Sequence, residues 1–200
     1  MEATAEQVRD AVRRAGGWPV ELDPRGPSWV PLTDAHLAVD GITERIRVRL
    51  GGVERRVAES TAVLGLAARV WSLTAGTAFL ADLLPDVTGA VITDLDGAIR
   101  LGLREPRGLR DPSDSDVVAA ALTVLTPVVE RSRLSHRLLW GNVSSAAPAY
   151  LRPLLPEPMP TGRRTTCCLY YRVPGGGLCG DCVFTHPPRS RARTQDVRRP

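Results

Sequence analysis

The sequence predicts a mainly α-helical fold with one β-hairpin and a small cysteine module close to its C-terminal end. Three observations carry that expectation. Apolar residues recur at helical spacing through most of the chain, the period becomes strand-like at about residues 89–104, and all four cysteines fall within 16 residues. The expected organisation is a mainly helical domain over 1–160 that includes the hairpin, a cysteine module over 161–186 and a basic, disordered tail over 187–200.

Thr4 and Gln7 have capping-box spacing, and Val8, Ala11, Val12 and Ala15 then share one helical face until Gly16-Gly17. The following WPVELDPRGPSWVP holds four prolines and reads as an extended surface loop. A second helix starts at Thr33 or Asp34, with Gly41 weakening its middle. Residues 42–50 are readable as helix or strand, and helix is preferred. From Val53 to Leu84 the pattern is helical in two pieces, broken near Ser72–Gly76 and ended by Pro85. Gly89–Thr93 and Ala98–Arg104 are β-rich and joined by Asp94-Leu-Asp-Gly97. That string also matches part of a calcium loop, but the remaining ligands are absent, so a hairpin turn is the better reading. Residues 104–116 read as a linker. Ser115 or Asp116 then caps a helix from Val117 to Leu139, kinked at Pro127. A further helical stretch follows Trp140-Gly-Asn-Val-Ser as far as Leu155, and PEPMPTGRR is a stiff connector.

Of the 200 residues, 43% are hydrophobic and 24% charged, the balance of a soluble globular protein. Aromatics make up only 4%, which leaves little with which to stack nucleic-acid bases, and no nucleic-acid partner is expected. All 26 basic residues are arginine, which excludes Schiff-base chemistry and a P-loop lysine. The N-terminus lacks the apolar core of a signal peptide. The most apolar stretch, Ser60–Leu84, is interrupted by Arg69 and Asp82, which leaves 12 uncharged residues. A bilayer needs about 20, so this reads as a core helix and no transmembrane segment is expected. The expected location is cytoplasmic, with any attachment to the inner face of the membrane only peripheral. Thiols stay reduced there, and clustered cysteines point to metal before disulfide.

The cysteines are Cys167-Cys168, ten residues, then Cys179-Gly-Asp-Cys182. Two irons bridged by sulfide each need two further ligands, and thiolates supply both charge and softness. The intervening LYYRVPGGGL lets the second pair fold back over the first. A [2Fe–2S] cluster held by Cys167, Cys168, Cys179 and Cys182 is the preferred reading. A structural zinc site stays open as an alternative, although its usual spaced knuckles fit an adjacent Cys-Cys pair badly. A thioredoxin-like redox pair would need a strand-to-helix junction that the pattern lacks. Gly175, Gly177 and Gly180 match G-x-G-x-x-G by spacing, without the βαβ unit a dinucleotide site needs. His186 has the chemistry of a Rieske-type ligand, but with four cysteines to hand it reads as solvent-facing.

The run from Arg163-Arg-Thr-Thr-Cys-Cys through Gly-Gly-Gly-Leu-Cys-Gly-Asp-Cys182 resembles the C-terminal signature of FhuF-like ferric-siderophore reductases, C-C-x10-C-x2-C. Leu139-Trp-Gly-Asn-Val-Ser is similar to a family segment ahead of the cluster. The resemblance implies [2Fe–2S] ligation by those same four cysteines. It also implies one-electron reduction of siderophore-bound Fe(III) to release Fe(II), with no acid, base or nucleophile. The implied partners are a ferric siderophore and an electron donor such as a ferredoxin or an NAD(P)H-dependent reductase. A non-catalytic [2Fe–2S] carrier or redox sensor, and a zinc-stabilised interaction module, are the competing functions.

Among nearby residues, Arg163, Arg164 and Arg172 could attract an anionic chelate or an acidic ferredoxin, or be solvated cations. Tyr170 and Tyr171 either shield the cluster or pack the module on the helices. Trp140 and Asn142 are candidates for the module's seat. His36 and His136 each lack a second ligand nearby and are assigned no function.

Overall fold

The computed structural model describes residues 1–15, 17–94, 98–156 and 163–188. A short strand, β1 (Glu2–Ala3), leads into helix α1 (Ala5–Ala15). The capping box forms there: the Thr4 N–H donates to Gln7 Oε1 at 2.9 Å, and the Gln7 N–H to Thr4 Oγ1 at 3.3 Å. Helix α2 (Ala35–Arg49) follows a 3-10 turn at Leu32–Asp34 and runs unbroken through Gly41, so residues 42–49 are helical as expected. Helix α3 (Arg55–Trp71) buries ten of its 17 residues. A helix buried on that much of its circumference has to be the centre of the fold. Its indole end is tied to the chain beyond it, because Trp71 Nε1 donates to the Val143 carbonyl at 3.1 Å.

The break expected near Ser72–Gly76 is a π-helical segment over those residues, after which α4 (Thr77–Ala81) resumes regular geometry. Thr74 and Thr77 hydroxyls donate back to the Val70 and Leu73 carbonyls at 2.9 and 2.5 Å, satisfying acceptors that the altered ladder frees. Arg55–Ala81 is, by length and composition, apolar enough to cross a membrane, and half of its most apolar window is buried inside the fold.

Two small sheets flank the helices. Strands β2 (Val20–Leu22), β3 (Val30–Pro31), β5 (Ala90–Thr93) and β6 (Arg100–Leu103) form one sheet in the order β2-β6-β5-β3. β5 and β6 are the antiparallel hairpin that the sequence predicts, paired Ala90↔Leu103 to Thr93↔Arg100; three residues of its turn, 95–97, lie outside the described residues. β1, β7 (Gly108–Arg110) and β4 (Leu83–Pro85) form the other sheet, all antiparallel. Three readings need correction here. The proline-rich loop contains β2 and β3, the 104–116 linker contains β7, and Pro85 closes a strand rather than only ending a helix. Strands of two to three residues are too short to show a period of two, so only their partners reveal them.

The single helix expected over 117–139 is two: α5 (Asp114–Arg131) and α6 (His136–Ala146). Its cap is Ser113, not Ser115 or Asp116: the Asp116 N–H donates to Ser113 Oγ at 3.2 Å and Asp116 Oδ2 accepts from the Ser113 N–H at 2.9 Å. The chain leaves α5 where the Ser132 hydroxyl donates to buried Glu59 Oε1 at 2.5 Å and accepts from the Leu134 N–H at 3.0 Å. Pro127 is accommodated inside α5. Trp140-Gly-Asn-Val-Ser lies within α6, and a 3-10 turn at Ala149–Leu154 follows. Leu66, Leu125 and Leu139 from α3, α5 and α6, with Ile92 and Leu101 from the hairpin, are essentially inaccessible and join in one apolar cluster. Most of the connector (157–162) and the basic tail (189–200) lie outside the described residues.

Candidate metal centre

The cysteine module sits on α3 and α6, and its seat is polar. Asn142 on α6 is wholly buried and its Nδ2 donates to the Ser60 carbonyl and hydroxyl oxygens of α3, both at 2.9 Å. The Ser60 hydroxyl donates in turn to the Cys168 carbonyl at 2.7 Å. Asn142 Oδ1 accepts from Arg164 Nη2. One continuous chain of buried bonds thus runs from Arg164 to the backbone of the first cysteine pair. The second pair is fixed to the same helix, since Asp181 accepts from the Ser145 hydroxyl through its carboxylate and from the Arg164 N–H through its carbonyl, the latter at 2.9 Å. Gly141 permits this closeness: a Cβ there would lie 2.3 Å from Thr166 Oγ1. At the rim, Arg172 pairs with Glu54, at the start of α3, at 2.6 Å.

Cys168 and Cys182 are buried against this seat, whereas Cys167 and Cys179 are part-exposed, and all four are free thiols. Cys168 Sγ and Cys179 Sγ stand 3.6 Å apart, so the loop does fold the second pair over the first. A 3-10 turn at Tyr170–Arg172 and the turn at Gly175, whose φ is +72°, reverse the chain between them. Each pair also contributes a sulfur that accepts a backbone N–H from two residues on: Leu169 to Cys167 at 3.3 Å and Phe184 to Cys182 at 3.4 Å. Leu169 adopts φ +66°, a left-handed conformation that costs a leucine about 1–2 kcal/mol. It turns the N–H toward the thiol while the side chain packs on the core.

Burial pushes the Cys167 thiol up. The Leu169 N–H pulls it back down, the charges of Cys168 and Cys182 raise it, and Arg164 lowers it. Cys179 is pushed up to about 12 by burial, then by its bond to Cys168 and by Asp181. Four thiols close enough to oppose one another's ionisation, with N–H donors already aimed at two of them, form a donor set that wants a multivalent cationic body. Among the described residues no three His, Cys, Asp or Glu side chains converge on one point as a single-ion site requires. Two irons with two thiolates each need no such convergence, and the residues present fit a [2Fe–2S] cluster.

Fold and site together define a helical iron–sulfur protein with its metal module at the C-terminal end. The FhuF 2Fe-2S C-terminal domain model matches residues 164–184, the segment that carries the four cysteines, and the cofactor it supports is a [2Fe–2S] cluster. No curated protein and no solved structure matches the chain.

Other candidates sort clearly. Arg164 is neither a docking residue nor solvated: it is 2% exposed, beneath the module. Arg163 is exposed, and Arg172 is engaged by Glu54 and by Tyr171 Oη, 3.1 Å away. Tyr171 packs edge-on against Phe184 with centroids 5.7 Å apart, which links the two halves of the module; Tyr170 faces solvent. Asn142 is in the seat, while Trp140 is core beneath it. His186 is exposed, its Nδ1 near only Thr185 Oγ1, and Gly175, Gly177 and Gly180 lie in loop without a βαβ unit. Among the described residues neither His36 nor His136 joins a group of three potential metal ligands. Sequence reasoning missed Ser60, Gly141, Ser145 and Asp181. The signal for them was available: a serine within an apolar helical run, and small and polar residues clustered in Gly-Asn-Val-Ser-Ser.

Proposed function

We propose that Cys167, Cys168, Cys179 and Cys182 ligate the [2Fe–2S] cluster and that the protein is a ferric-siderophore reductase. When bound, the cluster supplies single electrons, each turning one Fe(III) of the substrate into Fe(II). Fe(II) is the weaker Lewis acid and leaves hard oxygen ligands more readily. The observation that carries the reading is the asymmetry of the thiols. Cys168 and Cys182 are held on the helices and Cys167 and Cys179 face outward, the placement an outer-sphere donor to a bulky chelate needs.

A groove on the helical domain supports a docking face. It encloses about 540 Å³ and is walled by Trp18, Trp71, Phe79 and Tyr150, with Ala146 adjoining the Ser145 that holds Asp181. That volume is within the usual range of small-molecule sites, about 300–1,000 Å³. In a chain with so few aromatic residues, four at one groove is a concentration. The Arg69 guanidinium lies 4.1 Å from the centroid of the Trp18 ring, a cation–π contact that holds this wall of the groove.

The test is anaerobic stopped-flow. Dithionite-reduced protein, freed of reductant, is expected to be reoxidised by a ferric siderophore with one Fe(II) per cluster appearing on a ferrozine-type chelator. The redox-inert gallium chelate should leave it reduced. Reoxidation by the ferric chelate no faster than with gallium would sink the reductase. Rapid oxidation by a protein acceptor alone would make this a carrier. A natural donor, a ferredoxin or an NAD(P)H-dependent reductase, then replaces dithionite in turnover.

A further inference from the structure

Six buried side-chain nitrogen or oxygen atoms among the described residues lack a hydrogen-bond partner, and three lie together beside the cysteines: Arg164 Nε, Arg164 Nη1 and Thr166 Oγ1. A buried guanidinium without a counter-charge is a costly arrangement. Among the described residues Arg164 makes no ion pair; its side chain donates through Nη2 to the neutral Asn142. Desolvation of a cation on this scale needs an anion; the Asp181 carbonyl accepts only the backbone N–H of Arg164, and the Asp181 carboxylate is taken by Ser145. Arg164 precedes the first cysteine pair by three residues and is 2% exposed.

We infer that Arg164 is a positioning and potential-setting residue for the cluster: its unpartnered Nε and Nη1 donors serve the thiolate and sulfide sulfurs, and its charge stabilises the reduced form. The inference rests on the four cysteines ligating [2Fe–2S]. The charge balance gives its sign. Two Fe(III), two sulfides and four thiolates sum to a dianion, and one electron makes a trianion. A fixed, buried cation favours the trianion more than the dianion, so it raises the midpoint potential. Asn142 holds Nη2 and so fixes the guanidinium, leaving the Nε and Nη1 donors for the cluster. That accounts for an asparagine rather than an aspartate at this position, because a carboxylate would neutralise the cation the cluster uses.

The experiment is a redox titration of cluster-loaded full chain, wild type against Arg164→Gln, followed optically and by EPR. The expected result is a potential lowered by at least a tenfold change in the one-electron equilibrium, about 59 mV. An unchanged potential would overturn the assignment. A second measurement needs no variant. In reduced wild-type protein grown on guanidino-15N arginine, pulsed EPR should resolve a 15N coupling to the cluster spin. Absence of any such coupling overturns the assignment even if Arg164→Gln cannot be loaded. Wild-type protein that holds no cluster would sink the cysteine reading itself, whereas a cluster indifferent to Arg164 sinks only this inference.

Discussion

The helical core and the cysteine module are held by different physics. α3, α5 and α6 close on one another through leucine, valine and alanine side chains that are almost entirely inaccessible. The module contributes only Val173 and the part-buried Leu169 to that cluster. It is attached instead by hydrogen bonds to Ser60, Asn142 and Ser145 and by one ion pair. Apolar burial is non-directional and tolerates small shifts; a hydrogen-bonded seat fixes position but adds only about 0.5–1.5 kcal/mol per bond. The core should therefore be indifferent to the metal, and the module should depend on it.

Removal of one proposed ligand is the sharpest way to break that comparison. Cys179→Ser should lose the visible spectrum or shift it strongly, since a serine oxygen is a harder and more basic ligand than thiolate. Far-UV circular dichroism should stay near wild type, because the helices draw little on the module. Chelation of iron from wild-type protein should give the same pair of results. Loss of helical signal in either case would show that the cluster staples the whole chain rather than its last module.

A smaller effect is expected from the close approach at Gly141. Gly141→Ala puts a Cβ against Thr166 Oγ1, within 2.3 Å in the present geometry, and something has to move. Overpacking of this kind costs about 1–3 kcal/mol. It should appear as partial cluster occupancy, measured as iron per chain, and faster loss to a chelator. Thr166→Ala removes the obstructing atom, so the double variant should recover much of the loss, a coupling that a double-mutant cycle measures. Additive losses would mean that α6 and the segment 164–168 do not meet at this point.

The core helices and the hairpin were legible because their periods run for many residues, and the cysteines because sulfur ligands are few and were crowded. The seat was less legible. Asn142 and Trp140 could be named from proximity in sequence to the module, but not separated, and only the fold shows that one is polar glue and the other is core. Ser60 lies 108 residues from Cys168, a pairing that no local pattern encodes. Arg164 was misjudged for a related reason. A run of two arginines reads as solvated charge, and burial of the second depends on what α6 offers it. The short strands escaped because each is defined by its partner rather than by its own residues.

The smallest effect belongs to the Glu54–Arg172 pair, which sharpens the comparison from the module's outer edge. Glu54 is held below the usual carboxylate range first by its bond from Arg56 and then by Arg172. A carboxylate with a depressed folded-state pKa stabilises above its unfolded value, and that contribution is lost as pH falls through the folded one. Between about pH 6 and 8 the pair should therefore be fully formed and flat with pH. It is exposed, with more than half of the Glu54 side chain accessible, so Glu54→Gln should cost only ~0.2–0.5 kcal/mol. The expected result is a slight acceleration of cluster loss to a chelator in low salt, unchanged across that pH range. At 1 M salt, where screening acts within about 3 Å, the variant and wild type should coincide. A large, salt-insensitive effect would show that this rim contact, rather than the buried bonds through Asn142, is what keeps the module on the helices.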